Sequence, residues 1–337
     1  MSGPVLSRDD VEARLRSGDE SEVSFRGALL TGLDLSGLDL SKRNFSGADL
    51  TEANLSNADL SDANLSGANL ERAVMFGAML SGAELVGADL ARADLSRCEA
   101  SRAGFGAAIL EKTSFFEANL SGSTFSQANL RGSDLRCADL RRARLHASSL
   151  NDVDASQADL REAELDGSDV SGATFNGADL RGARLPRLQN FERANWLAVD
   201  IRETDFRGAY SLRRLIIDEN YLEEFRSRGP HFEILYRVWR MTSDCGRSFW
   251  RWAAWMGLIA CLFAVAFSFV AVDYGDYETL LSPLYYSVIT LTTLGYGDVL
   301  PKSSAAQALA MFEVCVGYVV LGGLISILAN KMARRGE

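Results

Sequence analysis

The segment with the most specific chemistry is 290–298, which reads TLTTLGYGD and lies between two long apolar runs. Gly295 and Gly297 lack a Cβ atom and can adopt positive φ angles that are closed to most other residues. Successive carbonyls in such a loop can all turn toward one axis, whereas those of a strand alternate. Lipid cannot satisfy backbone polar groups, so a loop at membrane depth must line a cavity or lie inside protein. The spacing therefore predicts a loop whose carbonyl oxygens coordinate a cation.

The same residues resemble, position by position, the filter signature TxxTxGYGD of tetrameric potassium channels. The resemblance implies that backbone oxygens, with the Thr293 hydroxyl, replace the hydration shell of K⁺. The ligands it implies are Thr293, Leu294, Gly295, Tyr296 and Gly297. It also implies that Asp298 supports the filter, together with the pore-helix aromatic residues Tyr285 and Tyr286, where tryptophans are usual in the family.

Two positions depart from the family pattern. Leu294 stands where valine is commoner, but both residues are apolar and neither side chain is expected to touch the ion. Ile289 stands where some bacterial channels carry a glutamate that pairs with the filter aspartate. Filter gating by such a pair is therefore not supported, while K⁺ selectivity is little affected.

Composition divides the chain of 337 residues, since apolar and aromatic residues dominate from Phe249 onward and small or polar residues before it. The net charge of −10 disfavours nucleic acid as a partner, because phosphate binding depends on Lys and Arg. Five cysteines without CxxC spacing indicate neither a disulfide framework nor a zinc site. The first twenty residues lack the apolar core of a signal peptide, so the N-terminus is expected to stay in the cytoplasm.

A five-residue period runs from Phe25 to Leu185, with Leu, Phe or Met at nearly every fifth position and usually Ala two residues before it. This period suits neither a helix nor a flat strand, because the apolar positions would not share one face. The chain must therefore turn once in each repeat. Stacked coils would then place Leu over Leu and Ala over Ala in a continuous narrow core.

The sequence from Ala48 to Leu70 closely resembles pentapeptide-repeat proteins, whose pattern is A(D/N)Lxx. The resemblance implies a right-handed quadrilateral β-helix with four repeats per coil, covering 25–209. At about 4.8 Å per strand layer, about nine coils would form a rod roughly 45 Å long. The apolar positions from Phe191 onward lie one residue late, which predicts a one-residue insertion near 186–190, as a bulge or loop.

The β-helix carries surface charge of both signs, with an arginine-rich span at 131–144 and an acidic span at 152–169. Some pentapeptide-repeat proteins mimic DNA with a uniformly acidic surface, and the interspersed arginines favour an ordinary solvated face instead. His146 and His231 have no partners at metal-ligand spacing. At the N-terminus, Ser7 and Asp10 have the spacing of a capping box for a helix over 7–17.

Two helices are predicted between the repeats and the membrane. The first is amphipathic, begins at Ser211 as its N-cap and is ended by Gly229 and Pro230. The second, 231–242, is either a slide helix in the headgroup region or a packed linker. The predicted domains are a cap helix at 1–20, the β-helix at 21–210 (the repeat domain), a helical linker at 211–246 and a pore domain at 247–337.

The pore domain is predicted to contain a first membrane helix at 249–272, a pore helix at 282–292, the filter at 293–298 and a second membrane helix at 305–330. Ser282 and Pro283 suit the N-cap and first position of the pore helix. Basic residues flank the two membrane helices on the termini's side: Arg237, Arg240, Arg247, Arg251, Lys331, Arg334 and Arg335. The positive-inside rule then places both termini in the cytoplasm and the acidic segment with Asp273, Asp276 and Glu278 outside.

The second membrane helix contains the candidate gating residues. Gly317 lies where the family's hinge glycine does, and Gly322 with Gly323 offers a second point for bending above a constriction near Ile325 and Leu328. Glu313 is either a functional ionisable group or a structural hydrogen-bonding partner behind the filter. No arginine ladder of a voltage sensor appears.

The resulting prediction is a homotetrameric, potassium-selective channel of the plasma membrane, prokaryotic in type, with two membrane helices per subunit. It needs no cofactor beyond permeant K⁺ and is not an enzyme. The repeat domain either regulates gating, binds an unknown protein partner, or serves as a passive domain. The alternative function is a membrane-anchored scaffold with a non-conducting pore segment, against which the intact GYGD argues.

Overall fold

The computed structural model of the chain describes residues 6–17, 24–246, 248–275, 278–295 and 297–333. These residues form two compact units, Met1–Glu223 and Glu224–Glu337. The first unit contains the repeats, and the second contains the apolar helices.

A capped helix begins the first unit. Helix α1 spans Arg8–Ser17, and the amide of Asp10 donates to the Ser7 hydroxyl at 3.2 Å while the Asp10 carboxylate accepts from the Ser7 amide at 2.8 Å. This reciprocal pairing confirms the predicted capping box. Leu6 and Val11 are buried with the core of the repeats, so the helix covers apolar residues of the first coils.

The repeats form coils of twenty residues. Parallel bridges join every fifth residue i to residue i+20, from Ser24–Asn44 through Asp169–Gln189, which confirms four five-residue repeats per coil. In most repeats the small residue and the Leu point inward and are almost fully buried, as at Ala138 and Leu140. In the first coil Leu33, Leu38 and Arg43 occupy the small position and are only partly buried. The amide of the inward Leu donates to the next coil, as from Leu140 to the Asp159 carbonyl at 2.8 Å.

In the repeats that carry the Asp or Asn of the pattern, this side chain closes the turn. The carboxylate of Asp94 accepts from the amide of Ser96, two residues later, at 3.0 Å. This Asx turn leads the next residue into the left-handed region, where Arg97 has φ 57°. The side-chain pattern of the sequence therefore supplies the bend that resets the apolar positions onto one interior.

The predicted insertion is present. The bridge spacing changes from 20 to 21 residues between Asp169–Gln189 and Thr174–Asn195. A short 3₁₀ helix, Phe191–Arg193, takes up the extra residue, so the insertion lies just after the predicted segment 186–190. Stacking resumes beyond it, with the rings of Phe175 and Trp196 at 4.5 Å.

Surface arginines of the repeats pair with the acidic residues around them. Arg181 binds Asp179 within its own repeat at 2.6 Å and lies 3.7 Å from Asp200 in the next coil. This hydrogen bond from Arg181 holds the pKa of Asp179 below its usual value. Each exposed ion pair of this kind contributes little to the stability of the fold. Alternating arginines and acidic residues are typical of a surface that faces solvent.

Helix α2, Tyr210–Ser227, follows the last coil and packs against it. Leu212 and Ile216 are completely buried in the core of the repeats. The predicted N-cap, Ser211, is wrong, because the helix begins at Tyr210 and the amide of Leu212 already donates to the Ala209 carbonyl at 3.0 Å. The first half of α2 therefore completes the core of the repeats, although the predicted domain boundary at 210/211 assigns this helix to the linker.

Within the described residues, the second unit contains four helices after the last turn of α2, together with one short β ladder. The helices are α3 (Pro230–Ser243), α4 (Phe249–Phe267), α5 (Ser282–Leu291) and α6 (Ser304–Ala333). Strand β1, Val272–Asp273, pairs antiparallel with β2, Leu300–Pro301, and Lys302 binds Asp273 at 2.6 Å. The ladder joins the chain leaving α4 to the chain entering α6.

The helix bounds correct four predictions. The first membrane helix ends at Phe267 and not at 272, since Val272 is extended in the ladder with Pro301. The pore helix ends at Leu291, with Thr292 as its C-cap, and α6 is longer than the predicted 305–330. Ser282 is the first residue of α5 and not its N-cap, because its hydroxyl accepts from the amide of Thr279 at 2.8 Å.

Candidate functional site

One face of helix α5 is buried against the two long helices of its unit, while Tyr285 and Val288 on the other face are exposed. The ring of Tyr286 packs on that of Phe267 from α4 at 4.7 Å and lies 6.5 Å from that of Tyr274. Ile289 and Val299 complete this small apolar cluster. Ser287, on the same helix, is fully buried. The cluster holds α5 so that its C-terminal end leads directly into the glycine-containing loop.

The loop after α5 has the backbone conformation that its sequence requires. Gly295 and Gly297 have φ angles of 46° and 77°, in the left-handed region open to glycine. The amides of Leu294 and Gly295 both donate to the Ile289 carbonyl, at 2.9 and 3.4 Å. These two amides of the loop are therefore hydrogen-bonded to the last turn of the pore helix. Tyr296 lies outside the described residues.

Thr293 is held in an unusual backbone conformation at the start of this loop. Its φ of 58° is uncommon for a β-branched residue and costs about 1–3 kcal/mol. Its amide donates to the Thr290 carbonyl at 3.0 Å, so the turn that ends α5 imposes the conformation. Such strain is frequent at functional sites. In the single chain Thr293 and Leu294 are exposed, the latter to 59%.

The two predicted supporting tyrosines have different surroundings. The hydroxyl of Tyr285 donates to the Asp298 carboxylate at 2.7 Å, which ties the far end of the loop to the pore helix. Tyr286 instead packs in the apolar cluster with Phe267 and is 6% exposed. The sequence placed both residues near the filter, and the structure separates a hydrogen-bonding role from a packing role.

The three glycines of α6 also differ. A Cβ atom on Gly317 would lie 2.2 Å from the Leu291 carbonyl oxygen, so this glycine allows α6 to approach the end of α5. A Cβ on Gly323 would lie 2.4 Å from the indole of Trp252. Gly322 has nothing within 4 Å of the same position. Two of the predicted hinge glycines are therefore also required by close packing.

Trp252 is a contact that sequence reasoning missed. Its indole N–H donates to the Val320 carbonyl of α6 at 3.0 Å, near the start of α4. Its pairing with Gly323 depends on how the two helices pack, and no local pattern indicates it.

Glu313 lies behind the loop and is completely buried. Its carboxyl group is hydrogen-bonded to the hydroxyl of Ser287 on α5, which also donates to the Ala260 carbonyl of α4 at 2.9 Å. This contact supports the structural alternative of the two left open for Glu313. The sequence contained an indication of this partner of Glu313, because Ser287 is a polar residue in an otherwise apolar stretch of the pore helix.

Two protein families match the two parts of the chain. Residues 44–186 match pentapeptide repeats, in eight copies, and residues 257–334 match an ion channel family. The chain joins a pentapeptide-repeat domain to an ion channel domain. Both families are non-enzymatic in general. Within the described residues no cluster of His, Cys, Asp or Glu could hold a metal ion.

The similar curated proteins are potassium channels. Two-pore potassium channel 1 of Arabidopsis thaliana is 31% identical over 29% of this chain and 27% of its own length. A probable potassium channel protein of Methanocaldococcus jannaschii is 37% identical over 21% of this chain and 20% of its own. The chain thus spans about a quarter of the length of the curated relatives it matches. Among solved structures, HetL, a pentapeptide repeat protein from the cyanobacterium Nostoc, covers 60% of this chain and 94% of its own with 26% identity and a TM-score of 0.37.

Among the residues that the structure describes, two helices are long and apolar enough to cross a membrane, Phe249–Phe267 and Ser304–Ala329. Both are mostly exposed in the single chain. Channel domains act within membranes, so this part of the protein is assigned to a membrane.

Tyr285→Phe tests the support of the loop by the pore helix. Because the change removes a hydrogen bond to a charged group, worth about 1.5–3 kcal/mol, we expect the conducting loop to be disfavoured about tenfold or more. Single-channel recordings in lipid bilayers would show shorter conducting periods. Tyr221→Phe, an exposed tyrosine of α2, is the control. Equal conducting periods in Tyr285→Phe and the full-length parent would contradict the supporting role.

Gly322→Ala tests bending of α6 without disturbing a contact. Alanine stiffens a helix by about 1 kcal/mol relative to glycine, which corresponds to a roughly fivefold fall in the open-to-closed ratio. Gly317→Ala is a poor test, because its Cβ would collide with the Leu291 carbonyl and disturb the pore helix. Open probability identical to the parent in Gly322→Ala would exclude bending at this point and place the gate elsewhere.

Proposed function

We propose that the protein is a potassium-selective channel in which four copies of segment 293–298 surround the ion path. The observation that carries the proposal is the loop itself, with Gly295 and Gly297 at positive φ directly after a buried pore helix. The backbone oxygens of 293–297 and the Thr293 hydroxyl would bind K⁺, with Asp298 and Tyr285 as support. The potassium channels among the relatives support K⁺ as the permeant ion.

A homotetramer is required because one chain supplies one loop, which cannot ring an ion. Thr293 and Leu294 are exposed in the single chain. This exposure supports an arrangement in which other subunits or the ion path lie next to these two residues. Exposed apolar residues on both long helices, such as Leu262 and Phe312, supply surface for lipid and for other subunits. The C-terminal end of α5 contributes a partial negative charge next to the loop, which favours a cation.

A location in the plasma membrane with both termini in the cytoplasm is part of the proposal, and the charge pattern supports this orientation of the termini. Arg237, Arg240 and Arg251 lie just before or at the start of α4, while Asp273 and Glu278 lie between the two membrane helices. The other flanking charges used in the prediction, Arg247, Asp276, Arg334 and Arg335, lie outside the described residues.

Gly295→Ala tests the filter assignment. The residue has φ 46° and space around its Cβ position within the chain, so the substitution acts through backbone conformation and not through collision. We expect tetramers to form but K⁺ conduction, or the preference for K⁺ over Na⁺, to be lost. The measurement is ion flux into liposomes under opposed K⁺ and Na⁺ gradients.

Gly257→Ala is the matched control, since this exposed glycine of α4 also has space for a methyl group. Unchanged selectivity in Gly295→Ala would refute the filter assignment. Absence of flux in the parent protein, despite intact tetramers, would favour the membrane-anchored scaffold.

The repeat domain is proposed to regulate gating. Helix α2 supports this, because its first half is buried in the repeat core through Leu212 and Ile216. Its last turn belongs to the second unit, where the ring of Phe225 packs on that of Phe232 at 5.2 Å. A stacked β-helix is stiff along its axis, so displacement or a bound protein partner could act on α2.

A chain beginning at Glu224 tests this regulation. Cutting at the predicted boundary near 210 would instead expose Leu212 and Ile216, whose partners lie in the last coils. The shortened chain is expected to assemble and select K⁺ but to change its open probability or its response to pH, Ca²⁺ or membrane tension. Single-channel recordings of both forms give the comparison.

An internal deletion of three coils, residues 84–143, provides the control, because removing a multiple of twenty residues preserves the coil register and α2. Recordings that match the full chain under all stimuli would contradict regulation. Failure of the shortened chain to form tetramers would show an assembly role.

A further inference from the structure

Three oxygen atoms from three helices meet behind the loop. The Ser287 hydroxyl lies within hydrogen-bonding distance of the Ala260 carbonyl oxygen, at 2.9 Å, and of one carboxyl oxygen of Glu313. Ala260 belongs to α4, Ser287 to α5 and Glu313 to α6. The Ser287 and Glu313 side chains are fully buried in the single chain, so this cluster is complete without a neighbouring subunit.

The number of protons in this cluster limits its chemistry. A backbone carbonyl carries no proton, and a serine hydroxyl donates one hydrogen bond while accepting others. Two oxygen–oxygen contacts that are both hydrogen bonds therefore need a second proton. Only the carboxyl group of Glu313 can supply it.

The surroundings of Glu313 favour the neutral form as well. Its second oxygen, Oε2, is buried and has no hydrogen-bond partner among the described residues. No ion pair joins Glu313 to a cation in the described part of the chain. The titratable group that faces it from α5 is the hydroxyl of Tyr286, and α4 presents the Ala260 backbone. An isolated carboxylate in such a place would be costly.

We propose that Glu313 is a neutral carboxylic acid that positions the pore helix: its O–H donates to Ser287, and Ser287 donates to the Ala260 carbonyl. The proton stays on Glu313, so no bond to hydrogen is broken. The proposal deepens the proposed channel function, on which its positioning role rests. Glu313 does not touch the ion and acts through α5.

A second contact between α5 and α6, one helical turn from this cluster, connects it to the end of the pore helix. Ser287 and Leu291 are four residues apart on α5, and Glu313 and Gly317 are four residues apart on α6, so each pair shares one helix face. Gly317 approaches the Leu291 carbonyl so closely that a Cβ would lie 2.2 Å from it. The two helices are therefore joined at two points in register. The second point is the last residue of the pore helix before the loop.

Infrared spectroscopy of the full-length tetramer in lipid tests the protonation state directly. We expect a carboxylic-acid carbonyl band at neutral pH that disappears in E313Q, whose amide can still donate to Ser287. If E313Q loses no such band, Glu313 is ionised, and its carboxylate and the Ala260 carbonyl compete for the single proton of the Ser287 hydroxyl. That result would overturn the proposal. This readout needs no ion conduction.

Functional recordings test the positioning role. E313Q keeps a neutral donor and is expected to leave the mean conducting period within about twofold of the parent. E313A and S287A leave a buried polar group unpaired, so the conducting period should fall about tenfold. The double variant E313A/S287A should be no worse than the more affected single variant, because both remove one hydrogen-bonded unit.

A control and a stability measurement separate this proposal from the proposed function. Q307A changes an exposed polar residue of α6 and should behave like the parent. Lower thermal stability of the E313A tetramer, with E313Q unaffected, supports the contact even if no variant conducts K⁺, in which case only the channel function fails. Parent-like conducting periods and stability in E313A would overturn the positioning role.

Discussion

Backbone hydrogen bonding constrains both parts of this chain. In the repeat domain each coil offers its amides and carbonyls to the coils on either side, and the twenty-residue bridge spacing satisfies them in register. The unpaired groups remain at the two ends, where α1 and α2 pack. In the ion channel domain, the amides of Leu294 and Gly295 are bonded to the Ile289 carbonyl. The carbonyls of the same loop are the groups that a dehydrated cation would need.

Close approach of helices is the second constraint, and small residues provide it. Helix α6 reaches the end of the pore helix only because Gly317 lacks a side chain, and it reaches Trp252 only because Gly323 does. Within a membrane, where lipid is as apolar as the helix surfaces, such close packing and interhelical hydrogen bonds supply much of the association. The bonds from Trp252 to Val320 and from Ser287 to Ala260 are of this kind. Glycine in α6 therefore serves packing as well as flexibility.

The proposed link between the two parts lies in α2. Its buried face, with Leu212 and Ile216, belongs to the repeat core, while Phe225 packs on residues of α3. A boundary drawn from the repeat period alone falls at the start of this helix, because its amphipathic pattern differs from the five-residue period. Packing moves that boundary to Glu223, since the apolar face of the helix completes the last coils.

The sequence by itself determined the features that depend on neighbouring residues. A period of five, with Asx turns in many repeats, requires a coil. The glycines after a short apolar helix favour positive φ angles, because this is a local steric property. The described helices lie within about three residues of their predicted bounds, and the exception is the end of α4, which lies at Phe267 and was predicted at 272.

The tertiary structure alone decided which side chains meet across helices. Ser287 and Glu313 are 26 residues apart, and Trp252 and Val320 are 68 apart, so no periodicity relates them. The same holds for the division between Tyr285, which binds Asp298, and Tyr286, which packs on Phe267. Adjacent residues on a helix point about 100° apart, and only the placement of α4 and the loop around α5 determines what each one contacts.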